Sequence, residues 1–60
     1  MKYAIREVND YTGKTYYTYF ISWKKALRKF CEYCRRKDAG ECFISVDLMD
    51  MRTGKIIASL

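Results

Sequence analysis

Sixty residues carrying a net charge of +5, half of them hydrophobic, allow one domain spanning residues 1–60. At that length only about 60% of the unfolded chain's surface is buried on folding, so stability is marginal, and domains this small usually lean on a disulfide, a metal or a partner subunit. The hydrophobic content and the absence of Pro argue against disorder.

Met1 and Lys2 lead straight into an alternating strand pattern, with no apolar segment of the signal-peptide kind. No stretch approaches the ~20 apolar residues of a membrane span. Three cysteines are an odd number for a secreted disulfide framework. These features predict a cytoplasmic protein that makes no membrane contact.

The first element is a hairpin built on Asp10-Tyr11-Thr12-Gly13-Lys14. A glycine in the left-handed region suits a type I turn followed by a G1 bulge, in which the first residue pairs with the fifth. Counting outward from Asp10 opposite Lys14 places Tyr3, Ile5 and Glu7 opposite Ile21, Tyr19 and Tyr17 on one face. The other face carries Ala4, Arg6 and Val8 opposite Phe20, Thr18 and Tyr16. The first set is the predicted core face, although both faces are rich in aromatic residues, which suit strands.

A helix follows, from Trp23 to Asp38, with Ser22 as its N-cap and Gly40 as its C-cap. Trp23, Leu27, Phe30 and Cys34 form its apolar stripe, flanked by Ala26 and Cys31, while Lys25, Arg28, Lys29, Glu32 and Arg36 face away. The last element is a second hairpin on a matching turn, Met51-Arg52-Thr53-Gly54-Lys55. The same count sets Asp50, Leu48 and Val46 opposite Ile56, Ala58 and Leu60, with Ile44 and Cys42 continuing that apolar face. Phe43, Ser45, Asp47, Met49, Ile57 and Ser59 take the other face. The predicted fold is therefore α+β, in the order ββαββ, with two β-hairpins forming one four-stranded sheet and a single helix packed on one face. The crossover is long enough for the third strand to run in the direction of the second, and the strand order stays open.

The chain offers little for catalysis or metal binding. Cys31 and Cys34 have C-x2-C spacing and Cys42 follows, but His is absent and a closed zinc site needs four ligands, so Asp38 or Glu41 would have to complete it. Cysteine is often a small buried hydrophobe, and all three fall on or beside predicted core faces. A redox pair would place its first cysteine at a helix N-terminus, whereas these two sit late in theirs. Without His there is no triad of the usual kind. Asp47 and Asp50 point to opposite faces, and Thr12-Gly13-Lys14 lacks the spacing of a phosphate-binding loop. We expect no enzymatic activity, cofactor, metal or small-molecule substrate.

Two surfaces remain. Seven of the twelve Lys and Arg residues lie between Lys24 and Lys37. Lys24 and Lys25 occupy the first helical turn, where each cation opposes the helix dipole at a cost of about 0.3–1 kcal/mol. A ridge of Lys24, Lys25, Arg28, Lys29, Arg35 and Arg36 would suit phosphates with little sequence preference, although a solvated helix face explains the same residues. The second surface is the sheet face the helix leaves open, where Val8, Tyr16, Phe20, Phe43, Met49 and Ile57 would form an apolar patch, together with Ala4. Such patches mark interfaces. The occupant would be a second copy, another protein, or stacked single-stranded bases helped by Arg6 and Lys2. A slip of one residue in the first hairpin would redistribute the aromatics and shrink this patch.

The turn Asp10-Tyr11-Thr12-Gly13-Lys14, an aromatic strand and the helix opening Ser22-Trp23-Lys24-Lys25-Ala26 resemble the N-terminal arm-binding domains of phage and conjugative-transposon integrases, over Arg6 to Tyr33. That resemblance implies a sheet that enters a DNA groove, and the second hairpin departs from it. The whole pattern also resembles the short orphan accessory proteins of Gram-positive mobile elements, which implies an accessory role and specifies no activity. The sequence thus predicts a small non-catalytic protein-interaction module, self-associating as a homodimer or binding a protein partner through the open sheet face. The alternative is a low-specificity nucleic-acid-binding module.

Overall fold

A computed structural model describes residues 2–41 and 43–60. Its elements are β1 (Tyr3–Asn9), β2 (Thr15–Phe20), α1 (Trp23–Asp38), β3 (Ile44–Asp50) and β4 (Lys55–Ser59). The strands form one sheet in the order β2-β1-β3-β4, and every neighbouring pair is antiparallel. The chain is thus ββαββ and α+β, with β1 and β3 in the centre and one strand of each hairpin at each edge.

Both turns are the same four-residue loop. Asn9 Oδ1 accepts hydrogen bonds from the Tyr11 and Thr12 amides at 2.9 and 3.1 Å, and Asp50 Oδ1 accepts one from the Arg52 amide at 2.9 Å. Thr12 Oγ1 and Thr53 Oγ1 accept from the Lys14 and Lys55 amides at 3.2 and 3.3 Å. The Gly13 and Gly54 amides donate back to the carbonyls of Asn9 and Asp50, each at 2.8 Å. Both glycines have positive φ, 73° and 74°, where a Cβ would be strained. The loop closes between Asn9 and Lys14, one residue earlier than the sequence count.

That one residue corrects the first hairpin. Tyr3, Ala4, Ile5, Arg6 and Glu7 pair with Phe20, Tyr19, Thr18, Tyr17 and Tyr16. Phe20, Thr18 and Tyr16 therefore lie on the helix side and Tyr17 and Tyr19 on the open side, the reverse of the expectation. In the second hairpin the same loop pairs Asp50 with Lys55 and Met49 with Ile56, which corrects the expected pairing of Asp50 with Ile56. A bulge between Leu48 and Met49 then absorbs Ile57, and Leu48 meets Ala58 as expected. Val46 and Leu60 exchange backbone hydrogen bonds, so that pairing also stands.

The core joins Ile5, Ile44, Val46 and Leu48 from the two central strands to Ala26, Phe30 and Tyr33 from α1. Burying each of these large aliphatic side chains contributes about 1.5–3 kcal/mol. Helix bounds match the sequence reading. Ser22 Oγ accepts from the Lys25 amide at 3.4 Å. The end is a Schellman motif: Ala39 is the cap, and Gly40 lies one residue beyond it at φ +105°. There the Gly40 amide donates to Lys37 O and the Glu41 amide to Arg36 O.

The buried stripe is rotated by roughly 60° from the expected one, at 3.6 residues per turn. Ala26, Phe30 and Tyr33 face the sheet, while Leu27 and Trp23 are 40% and 39% exposed. Trp23 keeps a tilted contact with Tyr3, ring centroids 5.2 Å apart. Two polar contacts accompany this rotation. The Tyr33 hydroxyl donates to Glu7, which β1 presents to the helix side. Lys37 Nζ donates to Ile44 O at 2.7 Å, tying the last turn of α1 to the start of β3. Cys34 packs half-buried against the core, but Cys31 is exposed, which corrects its expected place at the core edge. The expectation for Cys42 lies outside the described residues.

Candidate interaction surfaces

The open face of the sheet consists of three rows running across the strands. The first joins Tyr19, Ala4, Met49 and Ile56, one residue from each strand. Ala4 has no exposed surface although it stands apart from the core, and Tyr19 and Met49 are opposite it on the two neighbouring strands. The second row joins Tyr17, Arg6, Asp47 and Ser59. Arg6 Nε donates to Asp47 Oδ2 at 3.0 Å, and Ser59 Oγ donates to Asp47 Oδ1 at 2.6 Å. The third holds Thr15, Val8 and Ser45, whose hydroxyl donates to Asp10 Oδ1 at 3.0 Å.

The polar row is electrostatically closed. The bond from Ser59, followed by the contact with Arg6, holds the Asp47 carboxyl below its ordinary range. The Arg6 guanidinium is correspondingly raised, first by Asp47 and then by the Tyr17 hydroxyl. Arg6, one of the two cations expected to assist base stacking on this face, is thus paired with Asp47.

Of the six residues expected in the apolar patch, Val8 and Met49 lie on the open face, both half-buried. Tyr16 and Phe20 lie on the helix side, and Phe20 packs against the core. Phe43 precedes β3, packs against the core and lies 6.0 Å from the Tyr11 ring. Ile57 is the bulged residue and is exposed. In place of the missing aromatics stand Tyr17 and Tyr19, 49% and 48% exposed, their rings stacked at 6.1 Å with an interplanar angle of 11°. Ile56, on the open face at the opposite edge, is also exposed. The slip in register exchanged the aromatics, and the open face now carries Tyr19, Ala4, Met49 and Ile56 in one row, with Tyr17 and Val8 in the next two.

The basic residues of α1 divide in two. Arg36 makes a two-pronged bond to Glu41, at 2.9 and 3.1 Å, and lies over the Tyr33 ring at 5.1 Å. Glu41 is held below its ordinary range by that bond. Lys29 pairs with Glu32 at 3.3 Å and also lies over Tyr33, at 5.5 Å. Both serve the fold. Lys24, Lys25, Arg28 and Arg35 are exposed, and among the described residues none has a carboxylate within 4.0 Å. Lys24, Arg28 and Arg35 follow the i, i+4, i+11 line of the solvent crest, with exposed Cys31 between them. This crest and the tyrosine pair lie on opposite sides of the molecule.

Among the described residues no group of three or more His, Cys, Asp or Glu side chains is placed to hold a metal ion. Among the described residues no helix is long and apolar enough to cross a membrane. No known family model matches the chain, and comparison with curated proteins and with solved structures gives no similar one.

Proposed function

We propose that this chain is a small protein-interaction module that self-associates through its sheet, with Tyr17 and Tyr19 at the contact. The observation that supports it most is the stacked pair of half-exposed tyrosines continuing into Ala4, Met49 and Ile56. Tyrosine brings large area at small entropic cost, and aromatic residues are enriched in interface cores. A 60-residue domain also gains burial from a partner that its own core cannot supply. Sedimentation over a range of concentrations tests this reading. The chain is expected to exceed monomer mass, and Tyr19→Lys, which replaces a half-exposed side chain outside the core, is expected to return it to monomer. A wild-type chain that stays monomeric at every concentration overturns the proposal.

A second reading is favoured by the crest of Lys24, Arg28 and Arg35. On that reading the helix binds nucleic acid through phosphates, and affinity falls steeply with salt. Arg28→Glu would weaken binding to single- and double-stranded DNA alike. Binding that is absent near 50 mM salt, or indifferent to salt, excludes it.

A further inference from the structure

We infer that two copies of the chain join through β2, edge to edge and antiparallel about a two-fold axis at Tyr17, so that their sheets become continuous. This rests on the self-association proposed above and specifies its geometry.

β2 is an outer strand of the sheet. The Asn9 amide donates to Lys14 O at 2.9 Å, which makes Asn9 and Lys14 a hydrogen-bonded pair. Such pairs alternate along an antiparallel ladder, so Tyr16 and Thr18 turn their backbone groups toward β1 and Thr15, Tyr17 and Tyr19 turn theirs outward. Open rows of this kind are templates for another strand, and proteins commonly guard them with charge, proline or a bulge. β2, Thr15-Tyr16-Tyr17-Thr18-Tyr19-Phe20, contains none of these guards. β4, at the other edge, begins with Lys55 and carries the bulge at Ile57.

The strand itself identifies its occupant. The outward positions 15, 17 and 19 are symmetric about Tyr17, so the strand complements its own copy, as a two-fold contact requires. With the axis at Tyr17, Thr15 meets Tyr19 of the second copy, Tyr17 meets its equivalent, and Tyr16 meets Thr18. Three outward pairs would each exchange two backbone hydrogen bonds, and aromatic residues facing Thr or one another are favourable cross-strand pairs. No like charges meet, because β2 is uncharged and Lys14 falls opposite Phe20. The net charge of +5 on each copy sits elsewhere, much of it on α1, so added salt should strengthen this contact by screening repulsion. Nucleic-acid binding would respond in the opposite direction.

The test uses the full chain, made by chemical synthesis with an N-methyl group on the Tyr17 amide. That change removes one outward donor and leaves the tyrosine side chain and the β1 ladder in place. The unmodified chain is expected to reach twice the monomer mass, more readily at higher salt, and the amides of Thr15, Tyr17 and Tyr19 to exchange about tenfold more slowly in the dimer. The N-methylated chain should be monomeric with its helical circular dichroism unchanged. Ile56→Lys, on the open face but at the far edge, should leave the dimer intact. A dimer that survives N-methylation, or an unmodified dimer without slowed exchange at those three amides, overturns edge pairing. If Ile56→Lys dissolves that dimer, the copies meet face to face, and the interaction reading stands without this inference. A chain that is monomeric throughout overturns both.

Discussion

In the first hairpin the pairing set at Asn9 and Lys14 continues unbroken to Tyr3 and Phe20, whereas in the second it shifts by one residue between Leu48 and Met49. The turns that launch them are alike to the placement of the Asn/Asp, Thr and Gly residues. One inserted residue, Ile57, therefore separates a regular outer strand from a bulged one. Bulges twist an edge away from pairing, so the same motif yields a guarded edge at β4 and an open one at β2. Turn chemistry sets where a hairpin starts, and the residues beyond the turn decide whether its outer strand can take a partner.

The largest expected effect separates the centre of the sheet from its open edge. Leu48→Ala removes a buried side chain shared by the core and should cost about 2–5 kcal/mol in urea denaturation, enough to unfold much of a domain this small. Thr18→Ala on β2 should change stability by less than about 0.5 kcal/mol. Comparable losses at the two positions would mean that β2 is not the peripheral strand described. Next come the turns. Gly13→Ala and Gly54→Ala each force a Cβ into positive φ and should each cost about 1–2 kcal/mol. Near-equal losses confirm one shared loop, and unequal ones would show that the turns differ.

The two turns do differ in charge, which gives a pH test. Asn9 is neutral, whereas the Asp50 carboxyl is held below its ordinary range, first by the Arg52 amide and then by the Arg52 side chain. Because its folded value is depressed, its contribution is present above the ordinary carboxylate value of about 3.9. It is lost as pH falls through the lower folded value. Asp50→Asn should therefore flatten part of the acid limb, as read by amide exchange at Gly54, with Gly13 unaffected. Equal acid responses at both glycines would contradict this. At the other extreme, burial and then the bond to Glu7 push the Tyr33 hydroxyl up to about 12. Its stabilising contribution is full below about 10 and lost as pH rises from there toward about 12. In Tyr33→Phe this alkaline loss should be absent.

Much of this fold was legible in the sequence. Ser22, Gly40 and the periodicity between them gave the helix its bounds, because caps and period are local signals. The repeated Thr-Gly-Lys gave both turns. What the count missed was the Asn9 side chain, which closes a loop one residue longer than a type I turn with a G1 bulge. The same miscount in the second hairpin was cancelled beyond Leu48 by the bulge, so its core pairs came out right while the Tyr16 and Phe20 faces came out reversed. A bulge is a tertiary choice with no strong local signature in Lys55-Ile56-Ile57-Ala58. The helix rotation was missed because Tyr33 reads as amphipathic and its partner Glu7 is remote in sequence. The tyrosine pair and the open edge both depended on register and strand order, which local pattern leaves unspecified.

The smallest expected change in stability has the most to say about the two edges. Deleting Ile57 leaves Ile56 opposite Met49 and Ala58 opposite Leu48, so β4 becomes regular while the core pairs persist. Stability should move by less than about 0.5 kcal/mol, yet both edges would then be open, and assemblies larger than a dimer should form. An Ile57 deletion that assembles no further than the parent chain would show that the bulge is not what guards β4.

Self-association through the sheet underlies both the proposed function and the edge pairing, and sedimentation equilibrium of the unmodified chain probes it without any substitution. The expected result is a monomer–dimer equilibrium that shifts toward dimer with rising concentration and rising salt. Monomer mass at every concentration and salt would contradict it.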